Sequence, residues 1–493
     1  MSKKIIYLLS LLMALSLVFA SCKKNAAGTG DLTPPPVDTE TGKEDANQST
    51  GLFEDWTKIP TDAAIREYEV FQNTGRDTYR NPVVVSVGNG VVFAFGEIRY
   101  ETPGAANDVG INGENTVDIV YKSSQNSGYD WDSQLKYVGG QAGSKDKAHG
   151  APNVFLLNDN KTIVVVATSG SGIGRTAQLM TAGRPASKVD YIVGTISGAN
   201  INWDAKGWQE VQLSGTDTIY KKINEVKAGG PSSSTFNFNQ YGTVPGKGLV
   251  ENNTILLSLV LAYQHDTSDP YELMGRYVLK GTVSGTSSIS WSAVGNPIAY
   301  SDNENQKLGK WKETQLYGGD STTPKFYIVP SPWTSSPQFK LGKAKGQSET
   351  PQATTITASE GAAGYAAFPT GGWFGKGKYT IKPGGTMDAT GGKSYSIFTH
   401  VQDTGENLAL YVVDNSAGDF KVQGSPWKVS VKDVTGTAAK SSSVDVLPDG
   451  TIIAGFEHGR PAEVPEGFDA NKLYKVFFTR YSQAYIATKT ANQ

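Results

Sequence analysis

Tyr79-Arg80-Asn81-Pro82, Ala94-Phe95-Gly96-Glu97-Ile98-Arg99, Asp108-Val109-Gly110 and Ser124-Gln125-Asn126-Ser127-Gly128-Tyr129-Asp130-Trp131 follow one another in the first third of the chain. Each piece has a local meaning. Pro82 has a fixed φ and no N–H to donate, so it marks a corner before the strand-like run Val83-Val84-Val85. Asp108 with Gly110 reads as a loop turn. In the last piece a small polar residue and glycine close a tight hairpin, and the tryptophan packs beneath it between strands. All four pieces describe strands and the turns that join them.

The rest of the chain continues in the same way. Val83 to Ser86, Val91 to Phe95, Val117 to Lys122, Ile163 to Ala167, Ile255 to Ala262, Lys325 to Val329, Leu408 to Val413 and Ile452 to Phe456 are rich in β-branched and aromatic residues and are bounded by Gly, Asn, Asp and Pro. No sustained helical period occurs after the N-terminal leader, so the expected class is all-β. An internal repeat supports a bladed architecture. Gly194-Thr195-Ile196-Ser197-Gly198 leads to Ile201 and Trp203, and Gly281-Thr282-Val283-Ser284-Gly285 leads to Ile289 and Trp291. The spacing from Ser284 to Trp291 also matches that from Ser124 to Trp131. Neighbouring blades of about 40 residues would place such turns in equivalent positions.

The chain opens Met1-Ser2-Lys3-Lys4, then runs almost wholly apolar from Ile5 to Ala20 before Ser21-Cys22. A basic start, a short apolar stretch and small residues before a cut describe an export signal over residues 1–21, not a spanning helix. Cys22 is the single cysteine, which excludes an intrachain disulfide. Its position after Phe19-Ala20-Ser21 resembles a bacterial lipobox, which implies lipidation at Cys22 and attachment to the cell envelope. Residues 22–52 hold Pro34-Pro35-Pro36 among Thr, Gly, Asp and Asn, a composition expected of a flexible tether. Residues 53–493 form the expected globular β domain. The formal net charge of −2 shows no basic excess, which argues against nucleic acid as partner. His149, His265, His400 and His458 lack paired metal-ligand spacing, and no Gly-rich nucleotide loop precedes a helix. No metal or other cofactor is expected, and the expected state is a monomer.

The four opening pieces, in their order, resemble the start of a sialidase. In that family the corner reads aromatic-Arg-Ile-Pro, the strand ends Ala-Phe-Ala-Glu-Gly-Arg, and the hairpin is an Asp-box of form Ser-x-Asp-x-Gly-x-x-Trp. Asn81, Gly96, Ile98 and Asn126 depart from these patterns. Gly246-Lys247-Gly248 with Asn252-Asn253-Thr254 resembles a landmark in the middle of the family's domain, and Val444 to Glu457 resembles its closing strand. The resemblance covers about residues 60 to 485 and implies a six-bladed β-propeller. By motif position Arg80 matches the first of three arginines that hold the substrate carboxylate, and Arg99 matches an arginine bordering the pocket. Asp108 falls at the acid/base aspartate, Glu457 at the glutamate that orients the first arginine, and Glu313 at the partner of the tyrosine nucleophile.

The second half of that constellation departs from the family. No arginine occurs between Arg276 and Arg460, where the second and third of the three are expected. The expected tyrosine position falls on Ser441, and Tyr395, followed by Ser396, is the nearest alternative. Lysine lacks the planar fork with which arginine grips a carboxylate. The resemblance therefore implies a surface lipoprotein that recognises extracellular sialoglycans or related glycans with weak or lost exo-α-sialidase activity. An active sialidase with a rearranged site, and a non-catalytic propeller for adhesion or assembly, are the alternatives.

Overall fold

The computed structural model describes residues 67–73, 77–100, 116–170, 172, 187–213, 218–225, 240–251, 253–263, 272–285, 287–293, 298–299, 316–318, 325–328, 340–345, 352–355, 369–376, 380–382, 386–388, 394–401, 407–414, 427–433, 439–448, 450–458 and 474–481. The expected export signal and tether, with Cys22, lie outside them. Among these residues the chain is all-β, with one seven-residue helix, Ile219–Glu225. The Thr218 hydroxyl caps that helix by accepting from Lys221 N at 3.1 Å. Its Ile219 and Ile223 are buried in the core.

The described strands form six sheets of four to six strands and one two-stranded ribbon. The first sheet runs Thr78–Gly88, Val91–Arg99, Val117–Ser124 and Lys136–Tyr137, so spatial order follows chain order. The second is built on Gly150–Leu156, Thr162–Gly170 and Ser187–Ser197, and the third on Gln240–Gly242, Thr254–Tyr263, Glu272–Ser284 and Ser288–Ala293. Lys325–Ile328 lies in the fourth and Asn407–Asp414 in the fifth. The last sheet takes Ala439–Val446, Ile452–His458 and Lys475–Tyr481, then adds Glu67–Phe71 from the start of the described chain. Glu67 pairs with Thr479 in that addition, which covers an edge that would otherwise expose unpaired backbone groups.

Three tryptophans join successive sheets. Trp131 packs on Phe478 at 5.4 Å between ring centroids, Trp203 on Tyr121 at 6.0 Å, and Trp291 on Tyr191 at 5.7 Å. In each case the ring reaches back to the third strand of the preceding sheet. The contacts therefore run from the last sheet to the first, second and third in turn. Buried apolar residues fill the same seams: Val83, Phe93 and Phe95 of the first sheet share a core with Val154, Ile163 and Val165 of the second. Each such side chain contributes about 1.5–3 kcal/mol when buried, so the seams hold the sheets face to face.

The repeated glycine has a packing reason. Gly194 pairs with Trp203 and Gly281 with Trp291, and each tryptophan ring lies across its glycine. A Cβ on Gly281 would come within 2.7 Å of the Trp291 ring, and one on Gly194 within 2.7 Å of Trp203. Gly281→Ala is expected to destabilise the fold by about 1–3 kcal/mol through overpacking, measured by urea unfolding. The two hairpins lie in consecutive sheets, so their separation corresponds to one sheet step and not to two blades of about 40 residues. The helix Ile219–Glu225 belongs to the chain between them.

The hairpin from Ser124 to Trp131 is built by its polar side chains. Ser124 Oγ accepts from Gly128 N at 2.9 Å, and Asn126 Oδ1 accepts from Asp130 N at 2.9 Å. Asn126 Nδ2 then donates to Asp130 Oδ2 at 2.9 Å. Asn126 and Asp130 together close the turn, which accounts for the asparagine at this position.

Candidate functional site

The first strand bulges at its start. Arg80 faces Glu97 across the ladder, the pairing then shifts to Val83 with Phe95, and Asn81 sits in the gap at φ 54°. Asparagine is among the few side chains that tolerate this left-handed backbone. Pro82 fills the next position without leaving an N–H to satisfy. The second sheet repeats the device: Gly150 faces Thr168, the pairing shifts to Asn153 with Val166, and Ala151 before Pro152 stands at φ 49°.

These bulges turn backbone N–H groups outward, and the neighbouring sheet accepts them. Glu457, near the end of its strand in the last sheet, accepts from Asn81 N through Oε1 at 2.7 Å. Glu97, near the end of its strand in the first sheet, accepts from Ala151 N through Oε1. Thr168, which holds the position in the second sheet that Glu97 holds in the first, accepts from Thr243 N through Oγ1 at 2.9 Å. Three successive seams thus carry a polar clasp at the same end of the sheets. Burying a polar group is costly unless it is paired in this way.

Two of the clasps also hold arginines. Arg80 Nε donates to Glu457 Oε1 at 2.7 Å, and Ser441 N donates to Oε2 at 3.2 Å. Arg99 Nε and Nη2 donate to Glu97 Oε2 at 3.0 and 2.7 Å. Asn81 links the pairs, because its Nδ2 donates to Glu97 Oε1 at 2.8 Å while its own N–H serves Glu457. Both carboxylates are fully buried, Arg99 is 1% exposed, and the Arg80 side chain is 16% exposed. Burial pulls the Arg80 guanidinium down, but the adjacent Glu457 more than offsets this and leaves it above its ordinary value, against the opposing charge of Arg99.

The two arginines differ in what they have left to offer. Arg99 gives two nitrogens to Glu97. Arg80 gives Glu457 its Nε and lies over the Tyr474 ring at 4.8 Å, and no described residue accepts from either of its Nη groups. A guanidinium held this way presents two parallel donors, the arrangement that grips a carboxylate or another oxyanion. Tyr79, next in sequence, stacks on Phe71 at 5.4 Å, and burial pushes its phenol up to about 12. It is poorly suited to act as an activated nucleophile.

A second ionic contact lies further along the same strands. Lys247 Nζ donates to both oxygens of Asp445 at 2.7 Å, and Asp445 also accepts from Ser86 N at 2.7 Å. Lys247 is carried by Gly246–Lys247, which pairs in parallel with Gly150–Leu156. Gly248 follows so closely that a Cβ would lie 2.1 Å from the Phe155 ring. The glycines that flank Lys247 therefore let the backbone approach the second sheet while the lysine reaches the last one.

The structure brings Arg80, Arg99 and Glu457 together, with Ser441 beside Glu457. Asp108 and Glu313 lie outside the described residues. The described residues on either side of Asp108 meet next to Arg99, where Arg99 pairs with Val117 and Tyr100 N donates to Thr116 O at 3.2 Å. Glu97 and Asn81 are functional candidates that sequence reasoning missed. The available signal was a glutamate interrupting the apolar run from Val91 to Ile98, shortly after an arginine at a proline corner.

No family model matches the chain, and no curated protein matches it. Solved structures do. A sialidase from Trypanosoma rangeli in complex with the inhibitor DANA superposes with a TM-score of 0.55 at 13% identity, covering 85% of this chain and 60% of that one. The NanB sialidase from Streptococcus pneumoniae gives 0.51 at 11% identity, covering 83% and 70%. An intramolecular trans-sialidase from Ruminococcus gnavus, in complex with oseltamivir carboxylate, gives 0.50 at 11% identity, covering 83% and 95%. The chain thus spans about 60% of the length of the Trypanosoma structure, and its fold is sialidase-like.

Proposed function

We propose that this chain is a lipid-anchored bacterial envelope protein whose sheets close into a six-bladed propeller, and that it recognises sialylated or related anionic glycans with weak or lost exo-α-sialidase activity. The observation that carries this reading is the Arg80 guanidinium, fixed by Glu457 through Nε, with its two Nη groups meeting no acceptor among the described residues. Two of the structural neighbours carry DANA and oseltamivir carboxylate, and an open arginine fork is the group that would meet a carboxylate here. Loss of efficient cleavage follows from Ser441, which stands next to Glu457 where the family resemblance places a tyrosine. A serine there offers no phenolate, and the covalent route of the family goes with it.

Titration with 3′-sialyllactose and with lactose separates the possibilities. Binding of the sialylated sugar alone, with negligible release of fluorophore from a fluorogenic sialoside, is the expected result. No binding of either sugar would remove the reading, and turnover abolished by Asp108→Asn would replace it with that of a working hydrolase.

A further inference from the structure

We infer that Asn81 is a positioning residue that keeps the Nη groups of Arg80 available to a ligand by occupying the carboxylate that would otherwise take them. The inference rests on the proposed role of Arg80 as the anion-binding group.

Arg80 is paired with one carboxylate, Glu457, and faces a second, Glu97, across the ladder. Glu457 is held through three donors, Arg80 Nε, Asn81 N and Ser441 N. Glu97 is the direct cross-strand partner of Arg80, and directly opposed residues in a ladder are near enough for long side chains to meet. Arg80 nonetheless makes no ion pair with Glu97. The Oε2 of Glu97 is taken by Arg99, and its Oε1 by Asn81 Nδ2 and Ala151 N. Asn81 is 4% exposed, so water competes little for that amide.

Few residues can do this at position 81. The site needs a left-handed backbone, an N–H directed at Glu457 and a neutral side-chain donor directed at Glu97. Aspartate would bring an acceptor against Glu97, and a branched apolar residue would strain the backbone and supply no donor. Removing the amide frees one acceptor site on Glu97, which faces across the ladder an arginine whose Nη groups meet no acceptor among the described residues. Inside the protein such a pair closes on itself, and a ligand carboxylate must then compete with it.

Asn81→Gly isolates the effect, because glycine accepts the positive φ and keeps the N–H to Glu457. The readout is the rate at which phenylglyoxal modifies Arg80, mapped by peptide mass, with any labelling of the buried, ion-paired Arg99 reporting a loosened site. The rate at Arg80 is expected to fall about tenfold in Asn81→Gly, comparable to one charge-assisted hydrogen bond, and to recover in Asn81→Gly/Glu97→Gln. The affinity for 3′-sialyllactose should fall by a similar factor. A merely structural role predicts the reverse, since a loosened site raises the labelling of Arg80 and Arg99 together. An unchanged or faster rate at Arg80 in Asn81→Gly overturns the inference. If the labelling behaves as expected but wild-type protein binds no sialylated sugar, Asn81 still controls Arg80 and it is the proposed ligand that fails.

Discussion

Glu97→Ala is expected to lower stability by about 3–5 kcal/mol, the cost of leaving one member of a buried ion pair without its partner. Arg99 is 1% exposed and has Nε and Nη2 on this carboxylate, so the substitution removes the acceptor of both donors from a charge that cannot reach water. Ala151 N and Asn81 Nδ2 lose an acceptor in the same step. The damage falls on the seam between the first and second sheets, whose apolar core includes Phe95 and Val154. Urea unfolding followed by tryptophan fluorescence measures the loss. A change below about 1 kcal/mol would mean that Arg99 finds another partner and that the clasp has little structural weight.

Arg80→Lys is expected to weaken binding of 3′-sialyllactose by about 10²-fold or more while leaving the fold intact. Disrupting a hydrogen-bonded charge pair costs about 2–5 kcal/mol, and each 1.4 kcal/mol is a factor of ten. Lysine keeps the charge near Glu457 but loses both the Nε–H that meets Glu457 and the parallel donors that would meet the ligand. Calorimetric titration beside a thermal unfolding scan tests both halves of the statement. Equal affinity in the variant would show that positive charge alone suffices, and that the fork geometry of Arg80 is irrelevant to recognition.

Much of the architecture was legible from local pattern. Val83 to Ser86, Val91 to Phe95 and Ile452 to Phe456 each lie inside strands that extend a few residues further, because β-branched alternation reports burial on a pleated surface. The glycine and tryptophan of the repeated hairpins were visible for the same reason, as both act within one hairpin. Asn126 reads as a departure in the sequence, yet in the hairpin it makes the turn's hydrogen bonds together with Asp130. Pairing between a side chain and the group four residues on is short-ranged, but its geometry depends on the turn that both residues create.

The sequence by itself determined the all-β class, the proline corner that places Arg80, the absence of arginine from 277 to 459 and the serine at 441. Tertiary structure decided which charges meet. Glu457 reaches Arg80 across 377 positions and Lys247 reaches Asp445 across 198, distances over which no local period carries information. Glu97 reads along the chain as one more charge beside Arg99; pairing of the first two strands makes it an acceptor for Asn81, and packing of the second sheet on the first makes it an acceptor for Ala151. The physical reason is that strand and turn propensities act over a few residues, whereas the choice of ionic partner is made by whichever groups the assembled sheets bury together. Burial leaves those groups no water to turn to instead.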